Sequence, residues 1–75
     1  MLNETFLIAR RRAGLSQVQL GDLASLNQKD ISKIEMGWTP PVDAQERLSA
    51  VLGVSVAALF NLSADLSPKG QQEPV

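Results

Sequence analysis

The stretch Ser16–Gly37, SQVQLGDLASLNQKDISKIEMG, decides how this chain is read. Ser16 suits a helix N-cap, and Gln19 stands three residues on, where a capping-box partner reaches back to the cap N–H. Leu20, Leu23 and Ala24 follow at helical spacing and predict one apolar stripe. Ser25-Leu26-Asn27 breaks the pattern. Asn27 is a second N-cap, with Asp30 three residues later, where negative charge also suits the helix dipole. Ile31 and Ile34 form the next buried pair, and Gly37 supplies the left-handed residue that commonly closes a helix. The spacing predicts two short helices over about 17–24 and 28–36, joined by a tight turn.

Assigning the buried side of the second helix leaves Gln28, Lys29, Ser32 and Lys33 together on its other face. An amide, a hydroxyl and two cations are the groups suited to base edges in a major groove: Gln to adenine, Lys to guanine, Ser to either. A solvated surface helix shows the same residue types to water. The paired-helix context favours the first reading.

Bulk properties narrow the function classes. Seventy-five residues make one small domain. With no Cys and no His, disulfides and thiolate sites are unavailable, a zinc site is not expected, and a general base would have to be a carboxylate or Lys. No metal or other cofactor is expected. No apolar run approaches the ~18 residues of a membrane span and no signal peptide is visible, so a cytoplasmic location away from membranes is the expectation. Seven basic against eight acidic side chains argue against a polycationic nucleic-acid coater but leave room for a specific binder. Arg10, Arg11, Arg12, Lys29 and Lys33 all lie in the first half, which predicts a basic face; a solvated helix end explains the arginines nearly as well.

In chain order, Asn3 caps a first helix over residues 3–13, with Leu2, Phe6, Ala9 and Ala13 as its stripe and Leu7 and Ile8 broadening it. Glu4 opens this helix and the arginines close it, as the dipole favours. Gly14 ends it. Gly21 inside the next helix costs about 1 kcal/mol relative to Ala, and close approach of the crossing helix is the expected reason. Met36-Gly37-Trp38-Thr39-Pro40-Pro41 reads as a stop and turn. A fourth helix over 42–52 turns Val42, Leu48, Val51 and Leu52 inward and Gln45, Glu46, Arg47 and Ser49 mainly outward. Gly53 closes it. Ser55 caps a short fifth helix that returns Leu59 and Phe60 to the core. SADLSPKGQQEPV from Ser63 loses periodicity and reads as a flexible tail over 63–75, leaving 1–62 as the domain. Five helices without strand signals predict an all-α fold. Each buried Leu, Ile, Val or Phe contributes roughly 1.5–3 kcal/mol, which barely offsets ordering entropy in so small a chain, so self-association would add stability.

From about Phe6 to Leu62 the chain resembles the Xre/Cro-CI-like helix-turn-helix family of phage repressors, Cro proteins, restriction–modification controllers and some antitoxins. The resemblance rests on Arg10, GLSQ at Gly14–Gln17, Leu20-Gly21 where the family favours Leu-Ala, and Ile31, Ile34-Glu35 and Gly37. Pro40, Leu52–Ser55 and Leu59-Phe60 complete it. It implies a compact five-helix lambda-repressor-like DNA-binding domain. By position, it implies base contacts from Gln28, Lys29, Ser32 and Lys33, and phosphate contacts from Ser16, Gln17, Arg11 and Trp38. Arg10 and Glu35 match a structural ion pair between the first and third helices. Val54, Val56, Ala57, Phe60 and Leu62 match the region through which relatives pair. Two features depart from the pattern. Met36 stands where many relatives carry a polar or basic residue. Trp38 is unusual in its loop, where it either packs on the fourth helix or lies against a sugar–phosphate or a partner subunit.

The resemblance implies a homodimeric transcriptional regulator on a palindromic double-stranded operator, acting on RNA polymerase by blocking or recruiting it, with no small-molecule ligand. A controller, a Cro-like protein or a compact repressor fits that description. A protein-interaction module, such as an antitoxin or an adaptor, is the alternative that near-neutral charge keeps open. An enzyme is not expected: no nucleophile–base set, phosphate loop or metal cluster is visible.

Overall fold

Five helices follow in the order Glu4–Arg12 (α1), Gln17–Ala24 (α2), Gln28–Glu35 (α3), Val42–Leu52 (α4) and Val56–Phe60 (α5) in the computed structural model, which describes residues 2–60. The described part is all-α. The tail expected over 63–75 lies outside the described residues, as does Leu62.

Side-chain caps set four of the five helix starts; α4 begins after Pro41 without one. The Asn3 side chain accepts from the Phe6 N–H at 3.1 Å and opens α1. Ser16 and Gln19 exchange reciprocal bonds of 3.0 and 2.9 Å at the start of α2. Asn27 and Asp30 do the same at α3, at 2.8 and 3.4 Å. Each box satisfies two amides that the first turn otherwise orphans. The Ser55 hydroxyl accepts from the Ala58 N–H at 3.1 Å at α5. Helix α3 stops at Glu35. Met36 takes the C-cap, and Gly37 at φ 113 turns the chain away.

Phe6, Ala9, Leu20, Ala24, Ile31, Ile34, Leu48, Leu59 and Phe60 form the core, with Leu15, Leu26, Val51, Leu52, Val54 and Val56 packed against it. The rings of Phe6 and Phe60 lie 5.9 Å apart and fasten α5 to α1. Asn3 reinforces that joint. Its Nδ2 donates to the Leu59 carbonyl at 2.8 Å, and its backbone N–H donates to the Glu35 carbonyl at 2.9 Å. On the other side of the core, Arg47 of α4 donates to the Ala24 carbonyl at 2.8 Å and to Asp43 at 3.1 Å. That hydrogen bond and the guanidinium charge hold the Asp43 carboxyl below its ordinary range.

Several apolar residues expected inside are outside. Leu23 is 60% exposed, because α2 buries Leu20, Gly21 and Ala24 instead. At about 100° per residue, the centre of that buried arc lies roughly 110° from Leu23. Val42 is 66% exposed; Ala44, Leu48 and the half-buried Val51 and Leu52 share a face of α4 that Val42 opposes. In α1, Phe6 and Ala9 are buried while Ile8 is exposed, and so are Leu2 before the helix and Ala13 at its C-cap. The core reaches only the middle turn of that helix. Gln45, Arg47 and Ser49, expected mainly outward, are half-buried.

Gly21 is required for a reason nearer than a crossing helix. A Cβ built there would stand 2.6 Å from the Leu26 carbonyl oxygen and 3.3 Å from its carbon. The crowding therefore comes from the backbone of the α2–α3 turn. Ser25 enters that turn in the left-handed conformation, at φ 60, and the Leu26 N–H donates back to the Gly21 carbonyl at 2.8 Å. Absence of a side chain at 21 lets the turn close tightly and fixes the angle at which α3 leaves.

Candidate nucleic-acid interface

Burying Ile31, Ile34 and Glu35 leaves Gln28, Lys29, Ser32 and Lys33 of α3 exposed, with Gln28 on the flank next to Glu35. Lys29 and Ser32 make no side-chain hydrogen bond, ion pair or aromatic contact among the described residues and are free to move as surface side chains do. Gln28 is not.

A chain of polar contacts runs from the protein interior to Gln28. Arg10 Nε donates to Glu35 Oε2 at 2.6 Å, and Arg10 Nη1 donates to the Leu15 carbonyl at 2.8 Å. The Arg10 and Glu35 side chains are only 13% and 11% exposed, so each needs the other's charge. The second Glu35 oxygen accepts from Gln17 Nε2 at 3.0 Å. Gln17 Oε1 in turn accepts from Gln28 Nε2 at 3.2 Å. A carboxylate only accepts, so Gln17 must turn its NH2 inward and its oxygen toward Gln28. Gln28 must then offer its own NH2 to Gln17. Its oxygen and one remaining N–H are left facing outward, in a fixed order. Gln17 keeps one spare N–H.

The other residues expected to meet DNA are also at the surface. Ser16 is exposed at the N-terminus of α2, beside first-turn amides that have no intrahelical acceptor. Arg11 is exposed near the end of α1. Trp38 is 41% exposed, and the Lys33 ammonium lies over its ring, 5.2 Å from the centroid.

The fifth-helix region is less uniform. Val54 and Val56 are half-buried against the core and Ala57 is exposed. Phe60 is only 8% exposed, its ring turned in toward Phe6, so it offers little to a partner surface. An open groove of about 480 Å³ runs between α1 and the α4–α5 turn, with Ile8, Arg12, Leu52 and Val54 in its lining.

A family model described as helix-turn-helix domain matches residues 6–61, which is most of the chain. The chain belongs to the helix-turn-helix domain family. No curated protein and no solved structure gives a significant match. In a helix-turn-helix domain the second helix of the pair is the one that enters the major groove while the first crosses the backbone. The two helices joined by the tight turn here are α2 and α3, and DNA is the partner that family membership implies. Among the described residues, no helix is long and apolar enough to cross a membrane.

Sequence reasoning named Gln17 and Gln28 separately and did not join them. Both stand at the first position of their helices, directly after a cap. Two amides so placed on consecutive helices are a signal that could have been used. Lys33 and Trp38 left a trace too, since a glycine-closed helix end returns the residue after Gly37 to the Lys33 carbonyl.

Proposed function

We propose that this chain is a sequence-specific transcriptional regulator of the Xre/Cro-CI-like kind, binding a palindromic operator as a homodimer with α3 in the major groove. The observation that carries this reading is the enforced orientation of Gln28. An outward carbonyl oxygen beside an outward N–H is the pattern that pairs with adenine, whose N6 donates and N7 accepts. An amide held this way loses little freedom on binding. Lys29, Ser32 and Lys33 supply further donors to base edges. Ser16, Arg11 and the spare Gln17 N–H meet phosphates and set the register without reading sequence.

Two domains paired through the fifth-helix region, with Val54, Val56, Ala57 and Leu62 contributing, would present their α3 helices about 34 Å apart on one side of the duplex. The Ile8–Val54 groove adds apolar surface next to Val54. A controller, Cro-like or compact repressor role follows, in which occupancy tracks the concentration of the protein itself and RNA polymerase is the downstream partner.

Selection of bound sequences from random DNA tests this reading. A two-fold symmetric site is expected. Gln28→Ala should relax one base pair by roughly 1–3 kcal/mol, whereas Gln17→Ala should weaken binding to all sequences and also loosen the Gln28 position. Affinity should fall steeply as salt rises, since phosphate contacts release counterions. A net charge of −1 leaves a protein-facing module as the competing reading; salt-insensitive behaviour and no selected sequence would favour it.

A further inference from the structure

Trp38 and Lys33 are joined twice. The Trp38 N–H donates to the Lys33 carbonyl at 2.9 Å in the turn that closes α3, and the Lys33 ammonium lies over the indole ring, 5.2 Å from its centroid. Gly37, at φ 113, provides the reversal that brings residue 38 back beneath residue 33. An exposed lysine normally samples many rotamers, and fixing it costs entropy. A cation held within about 6 Å of an indole face has surrendered part of that freedom already. Its charge remains, and so do N–H donors not aimed at the ring. Lys29 makes no ion pair or aromatic contact among the described residues. The two lysines of the exposed face are therefore unlike: one is free and one is held.

We infer that Trp38 is a positioning residue for base reading, its indole face holding the Lys33 ammonium where it meets the acceptor-rich edge of a guanine, O6 and N7. The inference rests on the DNA reading above and adds a residue outside α3 that fixes which base pair Lys33 addresses. Trp38 itself touches no base. Its effect runs through Lys33 alone, and it should be visible at one position of the operator.

The test compares Trp38→Leu, Trp38→Phe, Lys33→Met and the double variant Trp38→Leu/Lys33→Met with the unaltered protein, each selecting from random DNA. Trp38→Leu should lower discrimination about two- to fivefold at the base pair that Lys33→Met also relaxes. Trp38→Phe, which keeps an aromatic face, should retain most of it. In the Lys33→Met background, Trp38→Leu should change that base pair no further. In the free protein, ring current should shift the Lys33 Hε protons upfield of those of Lys29, and Trp38→Leu should remove the shift. Lys33→Met, at an exposed position, should alter emission from the chain's one tryptophan even if Trp38→Leu does not fold. Unshifted Lys33 protons, an unaltered preference in Trp38→Leu, a uniform loss over all sequences, or tighter binding would each overturn the inference. If the unaltered protein selects a site and only the Trp38 variants behave otherwise than stated, the DNA reading stands and this inference alone falls. If the unaltered protein selects nothing, both fall.

Discussion

Glu35 ties Arg10 to Gln17, and on the DNA reading proposed above its two oxygens divide between folding and base reading. One meets Arg10 at 2.6 Å and the other meets Gln17 at 3.0 Å. Removing Arg10 leaves a largely buried carboxylate without its countercharge, a loss of about 3–5 kcal/mol. Arg10→Met should therefore unfold at much lower denaturant than the unaltered chain. Arg10→Met/Glu35→Leu removes both charges together, and apolar replacement of such a pair is often neutral for stability, so most of that loss should return. Discrimination at the Gln28 base pair should not return, because Gln17 then has no carboxylate to orient it. Denaturant unfolding and sequence selection on the two variants separate these effects. Recovery of specificity along with stability would show that Gln28 is not oriented through Glu35. Only part of this is legible in the sequence. Arg10 and Glu35 are matched by resemblance, but the link through Gln17 to Gln28 depends on the spacing of α2 and α3 in space.

At the scale of elements, caps and closing residues are the legible part. Ser16, Asn27 and Gly37 act on neighbours within four residues, so their sequence spacing suffices. The direction of burial is not local. Leu23 looks inward from its spacing and Val42 from its apolar side chain, yet the buried arc of each helix is centred away from them. Gly21 is the same lesson in small: its neighbour is the Leu26 carbonyl of the following turn. The balance at Gly21→Ala can be stated. Alanine gains about 1 kcal/mol of helix propensity, while forcing a methyl into packed structure typically costs about 1–3 kcal/mol, and here the obstacle is backbone that cannot rotate aside. A net loss of up to about 2 kcal/mol is expected from these terms, seen as a lower melting temperature and weaker operator binding as α3 shifts. A higher melting temperature would mean that the turn widens freely.

For the whole molecule, Asn3 joins more of the fold than its place near the chain's start suggests. It caps α1 through the Phe6 N–H, holds α5 through the Leu59 carbonyl and meets the end of α3 through the Glu35 carbonyl. At 3% exposed it has no solvent to fall back on. Asn3→Ala loses a cap worth about 1 kcal/mol and leaves the Leu59 carbonyl short of its partner, at about 1–3 kcal/mol. A domain of some 60 residues holds only about 3–9 kcal/mol in all, so the sum of about 2–4 kcal/mol is a large share of the total. At about 4–8 °C per kcal/mol, the melting temperature should drop by roughly ten degrees or more. Asn3→Asp isolates the clamp from the cap, because its carboxylate still accepts from Phe6 but cannot donate to Leu59. If capping were the whole role, Asn3→Asp would melt near the unaltered protein. The three-way joint predicts that it melts no higher than Asn3→Ala, since it turns a carboxylate toward a carbonyl oxygen. A ligand that binds only the folded state adds about 2.7 kcal/mol at a hundredfold excess over its Kd. Operator DNA at that excess should therefore restore most of the lost melting temperature in either variant, because Asn3 lies away from the exposed face of α3.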